Sequence, residues 1–150
     1  MIALLQRVTH AQVCVADRCI ARIDTGLLVF IAVQQRDDKN TADRLLERVL
    51  TYRVFADSQG RMNRSVLEIG GGLLLVPQFT LAADTSKGRR PSFAAAAPSA
   101  LGRELFDYVC AAAQQRHQAV QHGEFAADMQ VDLTNDGPVT FWLQVAGPAH

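Results

Sequence analysis

Leu27-Leu28-Val29-Phe30-Ile31-Ala32-Val33 is an unbroken apolar run. A strand with one wet face alternates apolar and polar residues, so an unbroken run is the pattern of a strand buried on both faces, near the centre of its sheet. Leu73-Leu74-Leu75-Val76 repeats that pattern and predicts a second buried strand. Its continuation, Pro77-Gln78-Phe79-Thr80-Leu81-Ala82-Ala83-Asp84-Thr85, turns polar, as a strand does where it leaves the core. Upstream, Val8, Ala11, Val13 and Val15 alternate loosely with Gln6, Gln12 and Cys14. Ala16-Asp17-Arg18 then supplies a turn, so residues 2–23 predict a hairpin.

Between the two apolar runs, Ala42, Leu45, Leu46, Val49 and Leu50 recur at helical spacing, with Asp43, Arg44, Glu47 and Arg48 on the other face. This predicts an amphipathic helix over residues 40–53. Asp57-Ser58-Gln59-Gly60 and Gly70-Gly71-Gly72 punctuate a loop-rich middle. The triple glycine precedes a strand rather than opening a helix, which favours a turn over a phosphate cradle. Residues 87–97 form a long loop whose alanine run is a candidate start for the next helix. Pro98 suits a first helical turn, and Leu101, Leu105, Tyr108, Val109 and Ala112 carry a second amphipathic helix to about residue 116.

Near the C-terminus Met129, Val131 and Leu133 alternate with Gln130 and Asp132, and Val139, Phe141, Leu143 and Val145 alternate likewise. They predict paired strands, with Asn135-Asp136-Gly137-Pro138-Val139-Thr140 at the junction. That element is either an ordinary hairpin turn or a rigid backbone probe: an X-Pro bond has access to the cis form, and the preceding glycine reaches angles closed to other residues, so two carbonyls can be aimed unusually. Residues 146–150 are expected to fray. With no internal repeat, the expectation is one domain over residues 1–150. Its class is mixed α/β, with antiparallel-rich sheets forming a partly barrel-like layer and two main helices packed outside.

The chain of 150 residues is 49% hydrophobic and carries 15 basic and 15 acidic residues, so no net field draws it to nucleic acid and any RNA contact must be local. Cys14, Cys19 and Cys110 lack the second close pair of a zinc site and are expected to be reduced structural thiols. Neither an apolar leader nor a run long enough to span a bilayer is evident, so a cytoplasmic protein without a membrane partner is expected.

A triad hydrolase needs a nucleophile, a base and an acid to orient it. His10, His117, His122 and His150 are weak candidates for the base, none being close in sequence to the two motif stretches, and they are read as surface or packing residues. Thr80 without a base is a poor nucleophile and better suited to positioning. Gln78 can donate and accept, and Phe79 offers its backbone N–H and its ring. This favours an electrostatic site, in which each backbone N–H aimed at a developing oxyanion contributes about 10²–10³-fold.

Gln78-Phe79-Thr80-Leu81, Arg90-Pro91-Ser92-Phe93, Phe125-Ala126-Ala127-Asp128-Met129 and Asn135-Asp136-Gly137-Pro138-Val139-Thr140-Phe141 together resemble the D-aminoacyl-tRNA deacylases. The resemblance runs from the opening Met1-Ile2-Ala3-Leu4-Leu5-Gln6-Arg7-Val8 to about Val145. It implies hydrolysis of the ester joining a D-amino acid to the terminal ribose of tRNA, a chiral proofreading of translation that leans on the RNA's own 2′-hydroxyl and uses no metal or organic cofactor. It also implies a homodimer in which Gly137-Pro138 of one subunit enters the pocket beside Gln78, Phe79 and Thr80 of the other and selects chirality by crowding the space of an L side chain. Glycine has no side chain to crowd, so glycyl-tRNA mischarged on tRNA-Ala is expected to be cleaved as well. Lys87, Arg89 and Arg90 are candidate phosphate contacts and Phe93 a candidate stacking platform for a terminal base, against a solvated loop and core packing respectively.

The family usually has Ser where this chain has Pro77, which removes a backbone donor and a hydroxyl together. A related family with a trans Gly-Pro, which accepts an L-amino acid, has Pro at that position. Two alternatives follow: that related deacylase, or a non-catalytic module that binds aminoacyl-tRNA without turnover.

Overall fold

The computed structural model describes residues 1–149, and His150 lies outside the described residues. Its frame is β1 (Ile2–Val15), a long strand hydrogen-bonded along both edges. One edge meets β2 (Arg18–Ile23) with its second half and β3 (Gly26–Ala32) with its first half, both antiparallel. The turn from β1 to β2 is tight because Ala16 and Asp17 both take positive φ, 47° and 62°, the geometry that matches strand twist in a two-residue hairpin.

The chain then forms α1 (Lys39–Thr51), β4 (Phe55–Ala56), β5 (Met62–Arg64), the single-turn α2 (Val66–Ile69) and β6 (Gly72–Pro77). A 3-10 turn (Phe79–Ala82), α3 (Ser99–Arg116), β7 (Val120–His122) and β8 (Gln130–Gln144) complete it. The main sheet runs β2-β1-β3-β6-β7, with β8 on the free edge of β1, and it curls into a nearly closed barrel-like layer. β3, β6 and β7 are mutually parallel and the remaining pairs antiparallel.

Both faces of β3 and β6 are covered, which is why their sequences do not alternate. Leu27, Val29, Ile31, Leu73 and Leu75 face α1 and α3 in the larger core, while Leu28, Leu74 and Val76 face Val8, Val13 and Ile23 inside the curled sheet. The two strands start at a close crossing. A side chain on Gly26 would place its Cβ 1.9 Å from the Gly72 carbonyl oxygen, so only glycine fits. α1 is capped by the Asp38 carboxylate, which accepts the Thr41 N–H at 2.8 Å.

Four expectations are corrected. The C-terminal strands are not a hairpin: β8 is one strand, antiparallel to β1 from Ile2↔Gln144 to Cys14↔Gln130. The alanines before Pro98 do not open a helix: Ala94 and Ala95 make a turn closed by Ala96 donating to the Phe93 carbonyl at 3.0 Å, after which Ala96 bridges Gln34 and Ala97 donates to the Val33 carbonyl at 2.9 Å, just past the end of β3. Pro98 is the residue flanking α3 rather than inside its first turn. Cys14 and Cys19 are disulfide-bonded, being register partners directly across the tight β1–β2 hairpin, whereas Cys110 is a buried free thiol as expected. Burial pushes the Cys110 thiol up to about 12.

The ends of the frame are joined in the core. The Met1 ammonium donates to the Asp37 carboxylate at 2.7 Å and to the Val145 carbonyl at 2.7 Å, and the Val145 N–H returns to the Met1 carbonyl at 3.0 Å. Asp37 also accepts the Gln34 N–H at 2.6 Å. Burial holds the Met1 amine below its usual 8.0, with the Asp37 hydrogen bond and charge pulling it back up. A depressed amine favours the fold fully above the unfolded value and loses that contribution as pH falls through the folded one. Asp37→Ala, which strands a buried ammonium, is therefore expected to lower the unfolding free energy by roughly 3–5 kcal/mol at pH 7. In urea titrations its deficit against wild type should narrow as pH rises through the depressed folded value of the amine toward 8, where the folded amine is neutral and has no charge left to pair.

Candidate active site

A cavity of about 540 Å³ opens at the carboxyl ends of β3 and β6, where parallel strands leave a crevice. Its walls include Ile31 and Val76 from the strands, Gly102 and Phe106 from α3, and Phe125 and Met129 from the segment entering β8. Pro77, Gln78 and Phe79 form the rim. α3 passes close because Gly102 makes room: a Cβ there would lie 3.2 Å from the Phe125 ring. The Arg103 guanidinium sits over the outer face of the same ring, 4.9 Å from its centroid.

β6 ends where Gln78 donates its N–H to the Ile31 carbonyl at 2.8 Å. In a strand, neighbouring N–H groups point to opposite edges, so the nitrogen of Pro77 faces the β7 side. There β7 has already ended at His122, with Gly123 bonded back to Leu75. Pro77 thus forfeits no bond to β3. Beyond it the chain tightens into the 3-10 turn, closed by Leu81 donating to Gln78 and Ala83 to Thr80. The N–H groups of Phe79 and Thr80 take no part in those bonds, as befits the first donors of a helical turn. The Gln78 side-chain amide donates to the Thr80 hydroxyl oxygen at 2.5 Å, which leaves the hydroxyl hydrogen free to donate elsewhere.

Phe79 is 58% exposed and Phe93 40%, and their rings meet with centroids 5.1 Å apart and tilted by 54°. Phe93 is thus brought to the rim and is not a core residue. The loop before it is pinched shut by Asp84 and Ser92, which exchange backbone bonds of 2.8 and 3.0 Å. Hydrogen bonds from Ser86 hold the Asp84 carboxyl below its usual value. Lys87, Arg89 and Arg90 are exposed on this loop.

Gly137 and Pro138 are not among the residues lining the cavity. Their peptide bond is cis, and both residues are exposed. Gln6 pairs with Thr140 and Val8 with Asn135, so Arg7 alone faces residues 136–139, which are pushed out of β8 as a large bulge. Arg7 donates to the Asp136 carbonyl at 3.1 Å and to the Val54 carbonyl at 2.6 Å, and meets the Asp136 carboxylate at 3.3 Å. Gly137 has φ 138°, and a Cβ on it would lie 2.7 Å from Val139 Cγ2.

None of the described histidines lines the cavity. His10 touches the Thr9 and Thr134 hydroxyls, His117 the Gly71 carbonyl at 2.6 Å and His122 the Gly123 carbonyl at 2.8 Å. Arg7, Asn135 and Gly102 were not legible as site residues. A cation inside the apolar alternation of β1 is the one signal that pointed toward Arg7.

Ala126, on the cavity wall, has φ 63°, a region that disfavours any residue with a Cβ. Ala126→Gly is expected to stabilise the fold by about 1 kcal/mol and raise the melting temperature by about 2–4 °C, read by thermal unfolding.

The family model described as D-Tyr-tRNA(Tyr) deacylase matches residues 4–144 of this chain. A D-aminoacyl-tRNA deacylase of Herminiimonas arsenicoxydans is 62% identical over 145 residues, covering 97% of both chains. Among solved structures, a protein described as c-Myc DNA Unwinding Element Binding Protein superposes with TM-score 0.94 at 31% identity, covering 98% of this chain and 100% of its own. A probable eukaryotic D-amino acid tRNA deacylase superposes with TM-score 0.84 at 18% identity over 96% of this chain and 98% of its own, a likeness of fold.

Proposed function

The chain belongs to the D-Tyr-tRNA(Tyr) deacylase family, and on that premise we propose that Phe79 and Thr80 bind the ester carbonyl of a D-aminoacyl-tRNA while Gly137 and Pro138 select its chirality. The reaction is hydrolysis of the ester between amino acid and tRNA, a step of translational proofreading. In the proposed course, water adds to the ester carbonyl and the resulting oxyanion is held by the Phe79 and Thr80 N–H groups. The tetrahedral species then collapses, the ribose oxygen leaving with a proton, to give free amino acid and tRNA. The substrate's neighbouring hydroxyl serves in place of a protein base. The observation that carries this reading is the pair of backbone donors left out of the 3-10 turn, Phe79 on the cavity rim and Thr80 next to it in the chain. Gln78 holds Thr80 so that its hydroxyl donates to the bound ester.

The selector and the cavity lie on different parts of one chain, since neither Gly137 nor Pro138 is a lining residue. We therefore assign the missing wall to a second copy of the chain, whose exposed bulge enters the cavity. Pro77 does not argue for a binding module without turnover, because its missing N–H faces away from β3 and the two donors after it are retained. High identity to D-aminoacyl-tRNA deacylases favours the D-specific reaction over the related L-accepting one.

The test is release of amino acid from matched charged tRNAs. D-tyrosyl-tRNA and glycyl-tRNA-Ala are expected to be cleaved, and L-tyrosyl-tRNA at least about a hundredfold more slowly. Tight binding of D-tyrosyl-tRNA with no release would instead indicate a binding module, and sparing of glycyl-tRNA would refute selection by crowding. If the rim loop grips phosphate, Arg89→Ala and Arg90→Ala together should weaken binding and flatten its log–log salt dependence by about 1–2. An unchanged slope would remove the loop from the RNA interface.

A further inference from the structure

We infer that Asn135 is a positioning residue for chiral selection, its side chain fastening the bulge that presents Gly137 and Pro138. Asn135 Oδ1 accepts the Val139 N–H at 2.7 Å, and its Nδ2 donates to the Val139 carbonyl at 3.2 Å. The same Nδ2 reaches the Thr140 hydroxyl oxygen at 3.0 Å, which also receives Gln6 at 3.2 Å. One amide thus bonds both sides of the residue that ends the bulge and ties it to the first residue back in register with β1.

An excursion of this size leaves the bonds of the ladder, so something must replace them. Arg7 does so on the entering side through Asp136, and Asn135 on the returning side through Val139 and Thr140. All these bonds use Asp136, Val139 and Thr140, and none uses the carbonyl oxygens of Gly137 or Pro138. The bulge is held at its two feet, and the acceptors at its crest are left for a ligand. A selector that works by crowding needs its wall fixed to a fraction of an ångström, because a wall that yields admits the wrong side chain. A freely rotating side chain at 135 could not close the returning foot. Asparagine can, because it carries a donor and an acceptor on one planar group. Asn135 can act in this way only if Gly137 and Pro138 are the selector proposed above.

The experiment compares wild type, Asn135→Ala, Asn135→Asp and Gly137→Ala by single-turnover deacylation of D- and L-tyrosyl-tRNA, with thermal unfolding of each. Asn135→Ala is expected to reduce the preference for the D substrate by about tenfold, through a faster L reaction rather than a general loss. Asn135→Asp keeps the acceptor for the Val139 N–H but loses both donations, and should fall between it and wild type. A role confined to stability would slow both substrates together or lower the melting temperature while leaving their ratio alone, and that result overturns the proposal. If Gly137→Ala shifts the ratio and neither Asn135 variant does, Asn135 is not the positioning group though the selector stands. If no variant shifts the ratio, the selector itself is misassigned and the role of Asn135 falls with it. Should Asn135→Ala fail to fold, Asn135→Asp decides alone, an unchanged ratio counting against the proposal.

Discussion

The antiparallel ladder between β1 and β8 sets the place of both elements proposed to act on the substrate. β1 is bonded on its other edge to β2 and β3, so it is the one strand that connects the hairpin, the parallel β3-β6-β7 unit and the C-terminal strand. A ladder is a ruler: its alternation fixes which face each residue meets, and its register fixes what lies opposite. The start of β8 is therefore set beside the cavity, through Met129 and Val131, while the bulge at residues 136–139 is set opposite Arg7. Without that ladder neither element would have a defined place.

The chemistry proposed for the site asks little of any one side chain. An ester already activated by a neighbouring ribose hydroxyl needs its carbonyl oxygen stabilised and its amino acid inspected, and both tasks suit backbone groups. Backbone donors at a strand end are aimed by the sheet itself, and they cannot titrate. The unusual Pro77 is compatible with this arrangement for the same reason: strand alternation turns its nitrogen away from β3, and the donors proposed to bind the ester come two and three residues later. Around this, aromatic residues shape the entrance, Phe79 against Phe93 and Phe125 beneath Arg103.

Where local reading failed, it failed for identifiable reasons. Asn135-Asp136-Gly137-Pro138 has the composition of a turn, yet it lies within a strand, because Arg7 and Asn135 supply the bonds that a bulge lacks. β7 and α2 are too short for any periodicity to show. The alanines 94–97 favour a helix by propensity, but Ala94 and Ala95 are held in a turn and Gln34 and Val33 take the backbone of Ala96 and Ala97. Cys14 and Cys19 look unremarkable five residues apart, and only the two-residue turn between their strands makes them neighbours.

The amino-acid order by itself determined the two doubly buried strands, both long helices, the opening hairpin and, by resemblance, the reaction. Those follow from apolar spacing and local turn chemistry, which act over a few neighbours along the chain. Only the tertiary structure decided that β8 is continuous, that the cavity closes with α3 and Phe125, and that Gly137 and Pro138 stand apart from the cavity they are proposed to police. Each of those depends on a hydrogen bond or contact between residues far apart in sequence, where register and packing, rather than propensity, set the outcome.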